Sequence, residues 1–171
     1  MIWQPHLTNK WVKIRPLHHA DFDALFQVAK DPLVWEQHPS KKRSTLDGFG
    51  VFFRESLDSQ GALVILDQQS QVVIGSSRFQ YRDSMEDAVE IGWTFLARKY
   101  WGGKYNLAVK SLMMTYAFEH VSKVVLFIDR ENIRSQKAAG KIGASQIFDQ
   151  TLLRLAGKSP DTMAFTMLRT T

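Results

Sequence analysis

Residues Val89 to Phe118 read VEIGWTFLARKYWGGKYNLAVKSLMMTYAF, and the succession of elements inside this stretch decides the fold. Ala88 to Leu96 reads as a strand. A basic bend from Lys99 to Tyr105 follows it and contains Gly102 and Gly103. Beyond the bend, Val109, Leu112, Met113, Tyr116 and Ala117 return at helical spacing and predict a helix over Asn106 to His120. Glycine accepts backbone angles closed to most residues, so Gly102 and Gly103 can turn their N–H groups toward one point. Together with the start of the helix they would form a positive concavity suited to phosphate. An ordinary turn is the alternative. The pattern GxxxxGK[ST] is absent, and GxGxxG with its later acidic residue is absent too, so neither common nucleotide-loop signature is present.

Working outward, Lys123 to Ile128 is a compact apolar strand after the helix, which implies a crossover and one parallel join in an otherwise antiparallel sheet. Upstream, Ala62 to Leu66 and Val72 to Phe79 read as strands around the DQQSQ turn, forming an antiparallel meander with Ala88 to Leu96. Val12 to Leu17 is the first strand. Ala20 to Lys30 is a helix with Phe22, Leu25, Phe26 and Ala29 on one face, ended by Asp31 and Pro32. A second helix, capped by Ser44 or Thr45, carries Phe49, Phe52, Phe53 and Leu57. After the crossover, Asn132 caps a helix ending at Gly143, and Ser145 to Ala156 and Met163 to Leu168 read as the final strands. The class is α+β.

At 171 residues, 44% hydrophobic with 11 Phe and 5 Trp, the chain fills one core and is read as a single domain, 1–171. With no Cys, disulfides, thiolate nucleophiles and thiolate metal sites are excluded. His18 and His19 are adjacent without a ligand set around them, and no HExxH or EF-hand spacing occurs, so no metal is expected. The net charge of +5 is too small and too dispersed to select a nucleic-acid partner; only Lys41, Lys42 and Arg43 form a basic run, which reads as a solvated loop. The N-terminus lacks the pattern of a secretory signal, and no segment approaches the roughly 18 to 20 apolar residues of a membrane span, so a cytoplasmic location is expected.

Three segments in order, VKIRPLHHADFDALFQVAKD, EIGWTFLARKYWGGKYNLAVKSLMMTYAF and DRENIRSQKAAGKIGA, resemble the GNAT superfamily of acyl-CoA-dependent N-acyltransferases, particularly the branch of ribosomal-protein N-terminal acetyltransferases. The resemblance implies a three-layer fold with a central mixed, mostly antiparallel sheet flanked by helices and split between its fourth and fifth strands to grip the pantetheine arm of acetyl-CoA. It implies cosubstrate contacts at Phe95, Leu96, Trp101, Gly102, Gly103, Lys104, Tyr105 and Asn106, and at Asn132 and Ser135 on the later helix. The chain departs from the family pattern at Trp101, often Arg or Gln there, at Lys104, often Gly, and at Asn106, often Gly or Ala. It departs again at Ala139, seven residues beyond Asn132, where the family often places a tyrosine that protonates the leaving thiolate; Tyr100, Tyr105, Tyr116 or a water would have to substitute.

Glu90 is the candidate general base. Strand alternation sets Glu90, Gly92 and Thr94 apart from Val89, Ile91, Trp93 and Phe95, so the carboxylate need not enter the packed aromatic layer; a surface glutamate near Asp83, Glu86 and Asp87 is the competing reading. The expected reaction is direct transfer from acetyl-CoA to a primary amine in a ternary complex. The acceptor would be a protein N-terminus or a small amine such as a polyamine or amino sugar. A non-catalytic acyl-CoA-binding module is the alternative; direct nucleic-acid binding is not expected, and a homodimer is compatible with the sequence.

Overall fold

The computed structural model describes residues 2–170. Its strands are β1 (Leu7–Thr8), β2 (Val12–Pro16), β3 (Ala62–Asp67), β4 (Val73–Tyr81), β5 (Ala88–Leu96), β6 (Lys123–Ile128), β7 (Ser145–Ile147) and β8 (Met163–Leu168). The helices are α1 (Phe22–Ala29), α2 (Leu46–Asp58), α3 (Lys104–Phe118), α4 (Ile133–Lys141) and α5 (Gln150–Leu155). The strands form one sheet in the order β1-β2-β3-β4-β5-β6-β8-β7. Neighbours run antiparallel except β5 and β6, the join made by the α3 crossover.

Both faces of the sheet are covered, which is why every residue of β3 is buried. Leu63 and Ile65 point into the core under α3, with Val109, Met113 and Ala117; Ala62, Val64 and Leu66 point into the core under α1 and α2, with Leu25, Phe49, Phe52 and Phe53. α4 joins the α3 layer through Ala139. α5 covers a smaller cluster of Met85, Ala88, Val125 and Ala156. This is the three-layer α+β arrangement, a mixed, mostly antiparallel sheet between helices.

Three details depart from the sequence reading. Ser145 to Ala156 is not one strand: β7 stops at Ile147, and Asp149 caps α5 by accepting the Leu152 N–H. The Asp149 cap followed by Leu152, Leu153 and Ala156 was the helical signal in that stretch. The helix expected from Ala20 begins as a single tight turn, His19–Asp21, because the Arg15 guanidinium and the His18 N–H hold the Asp21 carboxylate before α1 starts. The alternation expected along β5 breaks in its middle. Arg78 pairs with Gly92 while Ser76 pairs with Phe95, so Trp93 and Thr94 together face Ser77. Trp93 is the extra residue of a β-bulge, with φ of 52°.

That bulge reverses the faces. Val89 and Ile91 point into the α3 core as expected, but Trp93 and Phe95 pack on the opposite, α1–α2 side, and Leu96 returns to the α3 side. Thr94 crosses from the side of Glu90 to that of α3, where its Oγ1 lies 2.7 Å from Ser77 Oγ and accepts a hydrogen bond from Lys110. The Trp93 ring is held by the Arg78 guanidinium 3.5 Å from its centroid, which supports a conformation that costs about 1–3 kcal/mol in isolation.

Candidate active site

β5 and β6 pair only at Ala88 with Lys123, Val89 with Val124 and Glu90 with Val125. Beyond Glu90 the two strands part, and the opening is continuous with a cleft of about 680 Å³. The walls combine Ile91 to Leu96 of β5, Leu126 to Ile128 of β6, the start of α3 and the inner face of α4. Trp35, His38 and Arg43 border it on the α1–α2 side. The cleft therefore passes through the sheet, with one mouth in each helical layer.

At the α3 mouth, Arg98–Tyr100 form a tight turn and Gly102 and Gly103 lead directly into α3. Gly102 has φ of 72°, in the left-handed region, whereas Gly103 has φ of −140°. The strict need for glycine therefore falls on position 102. Gly103 is the N-cap and provides no side chain, so no side chain caps the first-turn N–H groups of α3, and Asn106 lines the cleft beside them. This donor set fits a diphosphate: uncapped helix N–H groups, an open glycine turn and the positive end of a helix dipole.

Of the residues expected from sequence, Phe95, Leu96, Trp101, Gly102, Gly103, Asn106, Asn132, Ser135 and Glu90 line this one cleft. Lys104 and Tyr105 do not. Lys104 Nζ lies 3.5 Å from the centroid of the Trp11 ring, and Tyr105 donates its hydroxyl proton to Asp67 at 2.7 Å, so both side chains brace α3 against the β2–β3 edge. Asn132 is buried and accepts the Ser135 N–H at 3.1 Å, acting as the cap of α4. Trp101 donates its indole N–H to the Leu96 carbonyl, and the Arg134 guanidinium lies over its ring at 4.0 Å. Arg134 also donates to the Val34 carbonyl. A cation from α4 is thus placed against Trp101, the loop position where the family often has Arg or Gln.

At the other mouth, Glu90 is buried rather than at the surface, with 2% of the residue exposed. Arg82 donates to its Oε2 and Lys158 to its Oε1, each at 2.7 Å. Burial holds the Lys158 ammonium below its ordinary pKa, opposed by the Glu90 charge. Lys158 also lies 4.8 Å from the centroid of the Trp93 ring. His38 is pushed down to about 4, by burial first and the Arg43 charge second, and is a neutral ring at neutral pH. Arg43 rests over Phe52 at 4.4 Å.

Sequence reasoning missed Arg43, Arg82, Lys158 and Lys110. Lys110 sits in the cleft wall on α3, is 7% exposed, and donates from Nζ to Thr94 Oγ1 at 2.6 Å. Burial pushes its ammonium down to about 7. A signal was present: Lys110 shares the buried stripe of Met113 and Ala117 at spacings of three and seven, an apolar position holding a cation. Arg82 and Lys158 reach Glu90 from separate loops, and no local pattern announces them.

A family profile described as an acetyltransferase (GNAT) domain matches residues 12–145, spanning the sheet from β2 to the start of β7 with both walls of the cleft. The chain belongs to the GNAT acetyltransferase family. Its fold is shared with a GNAT-family acetyltransferase from Bacillus anthracis at TM-score 0.72, with 16% identity over 96% of this chain and 98% of that one. A candidate ribosomal-protein-serine acetyltransferase from Vibrio cholerae superposes at 0.73, with 14% identity over 99% and 100%. Spermidine N-acetyltransferase from Vibrio cholerae, solved with CoA and spermine, superposes at 0.64, with 15% identity over 94% and 96%. No curated protein matches the sequence at a significant level. At these identities the structural likeness speaks for the GNAT fold. Within that fold, the Trp93 bulge and the parting of β5 from β6 are what open the cleft.

Proposed function

We propose that the chain transfers the acetyl group of acetyl-CoA to an α-amine, by direct attack in a ternary complex, and that residues 1–171 act as one catalytic domain in the cytoplasm. The observation carrying this reading is the two-mouthed cleft, with the uncapped start of α3 at one side and buried Glu90 at the other. The first mouth suits the diphosphate of the donor, contacted by Gly102, Gly103 and Asn106, with Arg134 supplying charge nearby. Backbone groups of β5 freed from pairing with β6 suit the pantetheine arm, and one aimed at the carbonyl oxygen would stabilise its developing charge.

The acceptor enters at the Glu90 mouth. Glu90 attracts the incoming ammonium, which displaces Lys158 from Oε1, and then takes the proton that must leave before nitrogen attacks. Both of its carboxylate oxygens are already engaged by cations, so a fully charged ammonium must compete with Lys158 for Oε1, which favours an acceptor that is already partly neutral. An α-amine, with pKa about 7.7–8.0, is roughly one-tenth neutral at pH 7; an alkylamine near 10.4 is neutral in only a few molecules per ten thousand. Arg43, Arg82 and Lys158 also make this mouth cationic, which disfavours a polyamine carrying charge along its length.

Free-thiol release from acetyl-CoA, measured with a peptide α-amine, an Nα-blocked lysine, spermidine and an amino sugar, tests the reading. The peptide is expected to turn over fastest and spermidine slowest. Fastest release with spermidine would overturn the α-amine assignment, and tight acetyl-CoA binding with no release from any amine would favour a non-catalytic acyl-CoA-binding module.

A further inference from the structure

Ala139 lines the cleft without a transferable proton, and the tyrosines able to replace a donor there are committed elsewhere. Tyr105 donates to Asp67, and Tyr100 packs against the Tyr105 ring at 4.7 Å between centroids. Tyr116 donates to the Ile2 carbonyl, and Tyr81 stacks on Trp3. None of them lines the cleft. Lys110 does. It projects from α3 onto the bulge of β5 in the wall of the cleft, which Glu90, Leu126 and Ala139 also line.

We infer that Lys110 is the proton donor to the departing CoA sulfur, an inference that rests on the acetyl-transfer reading above. As the acceptor nitrogen bonds to the carbonyl carbon, the C–S bond breaks and leaves its electron pair on sulfur. Sulfur takes a proton from Lys110 Nζ, the surplus proton on the acceptor nitrogen goes to water because Glu90 already holds the one removed before attack, and Lys110 is reprotonated from solvent after CoA leaves.

The surroundings suit this role. Thr94 Oγ1 accepts one N–H of the ammonium and is itself held by Ser77, which fixes the direction of Nζ and leaves its other hydrogens free. Among the described residues no carboxylate lies within the 4.0 Å ion-pair distance of Lys110. The charged groups sharing the cleft are Glu90 with Lys158, Asp129 beyond β6, Arg134, Lys137 and Lys141 on α4, and Arg43 on the α1–α2 side. An ammonium near 7 is a stronger acid than an alkyl thiol near 8.5, so transfer from nitrogen to sulfur runs downhill. Lys137 and Lys141 lie on α4 and are exposed to solvent, whereas Lys110 is buried in the wall itself.

Binding of CoA and of desulfo-CoA, which lacks the sulfur, is compared by calorimetry in the wild type, Lys110→Met and Lys110→Arg. The wild type should prefer CoA by about tenfold, the contribution of one hydrogen bond to a charged group, and Lys110→Met should lose that preference while its thermal midpoint shows it folded. In acetyl transfer to the best acceptor of the panel, the wild-type rate should fall as pH rises through about 7, where Lys110 gives up its proton. Lys110→Arg should keep most CoA affinity yet lose that decline and most of the rate, because a guanidinium does not release its proton. An unchanged sulfur preference in Lys110→Met would overturn the inference and leave the acetyl-transfer reading standing. Failure of the wild type to bind CoA would overturn both. Acetylated Lys110 in the turnover mixture would overturn the donor role by making this amine a nucleophile.

Discussion

Replacing Glu90 by Gln separates what the carboxylate does for the fold from what it does for the reaction. Gln keeps the shape and one acceptor oxygen but removes the charge that holds Arg82 and Lys158, and it turns an N–H₂ group toward one of them. The Glu90 side chain is 3% exposed, and those of Arg82 and Lys158 are 24% and 20% exposed. Breaking a fully buried pair by removing one partner costs about 3–5 kcal/mol. Both cations here keep some contact with water, which lowers the expected loss to about 2–3 kcal/mol. For a chain of this size that is a fall of roughly 5–10 °C in thermal midpoint. Lys158→Met leaves Glu90 paired with Arg82 and should cost less, about 1 kcal/mol, and the double variant should be less destabilised than the sum of the two. Urea unfolding followed by tryptophan fluorescence measures these values. Single-turnover acetyl transfer at saturating acetyl-CoA, well below the midpoint of either protein, then measures chemistry, and the glutamine variant should be slower by about 10²–10⁴-fold. A Glu90→Gln stability within about 0.5 kcal/mol of wild type would refute the buried triad. A normal stability loss with an unchanged single-turnover rate would refute the base.

Gly102→Ala forces a side chain into the left-handed region at φ of 72° and should cost about 1–2 kcal/mol or shift the turn, weakening acetyl-CoA binding in calorimetry. Gly103→Ala, whose added carbon meets only the Trp101 carbonyl at 4.0 Å, should bind acetyl-CoA nearly as the wild type does, and equal losses at both positions would contradict this assignment. Lys110→Met should raise stability most at pH 7 and below. The unfolded chain holds the Lys110 proton up to about 10.4 while the folded chain loses it near 7, so the wild type gains stability as pH rises between these values and the advantage of methionine shrinks; urea midpoints at pH 6 and pH 10 that differ by the same amount would exclude a buried ammonium.

Much of the architecture was open to reading because its signals are local. β5, β6 and β8 occur at the expected boundaries, since runs of branched and aromatic residues between turns need no distant partner to be recognised. The helix caps at Thr45 and Asn132 follow from side chains that satisfy N–H groups three residues ahead. The segment after Ser145 reads as a strand when its apolar residues, Ile147, Phe148, Leu152, Leu153, Leu155 and Ala156, outweigh the Asp149 cap, and so short a set fits either period.

The site divides along the same line. The glycine bend, Glu90 and Asn132 could be named from the chain, because each depends on residue type within one short segment. Which way Thr94 and Phe95 point could not, since a single extra residue at Trp93 flips everything after it and that bulge exists only in the pairing with β4. Nor could the state of Glu90, whose partners are 8 and 68 residues away, or that of Lys110, which meets Thr94 16 residues back on β5. Sequence by itself determined most of the elements, their order and the resemblance to the family, because backbone periodicity and capping act over a few residues. Tertiary structure alone decided which charges are buried together, because burial and proximity arise only when separate elements close over the same space.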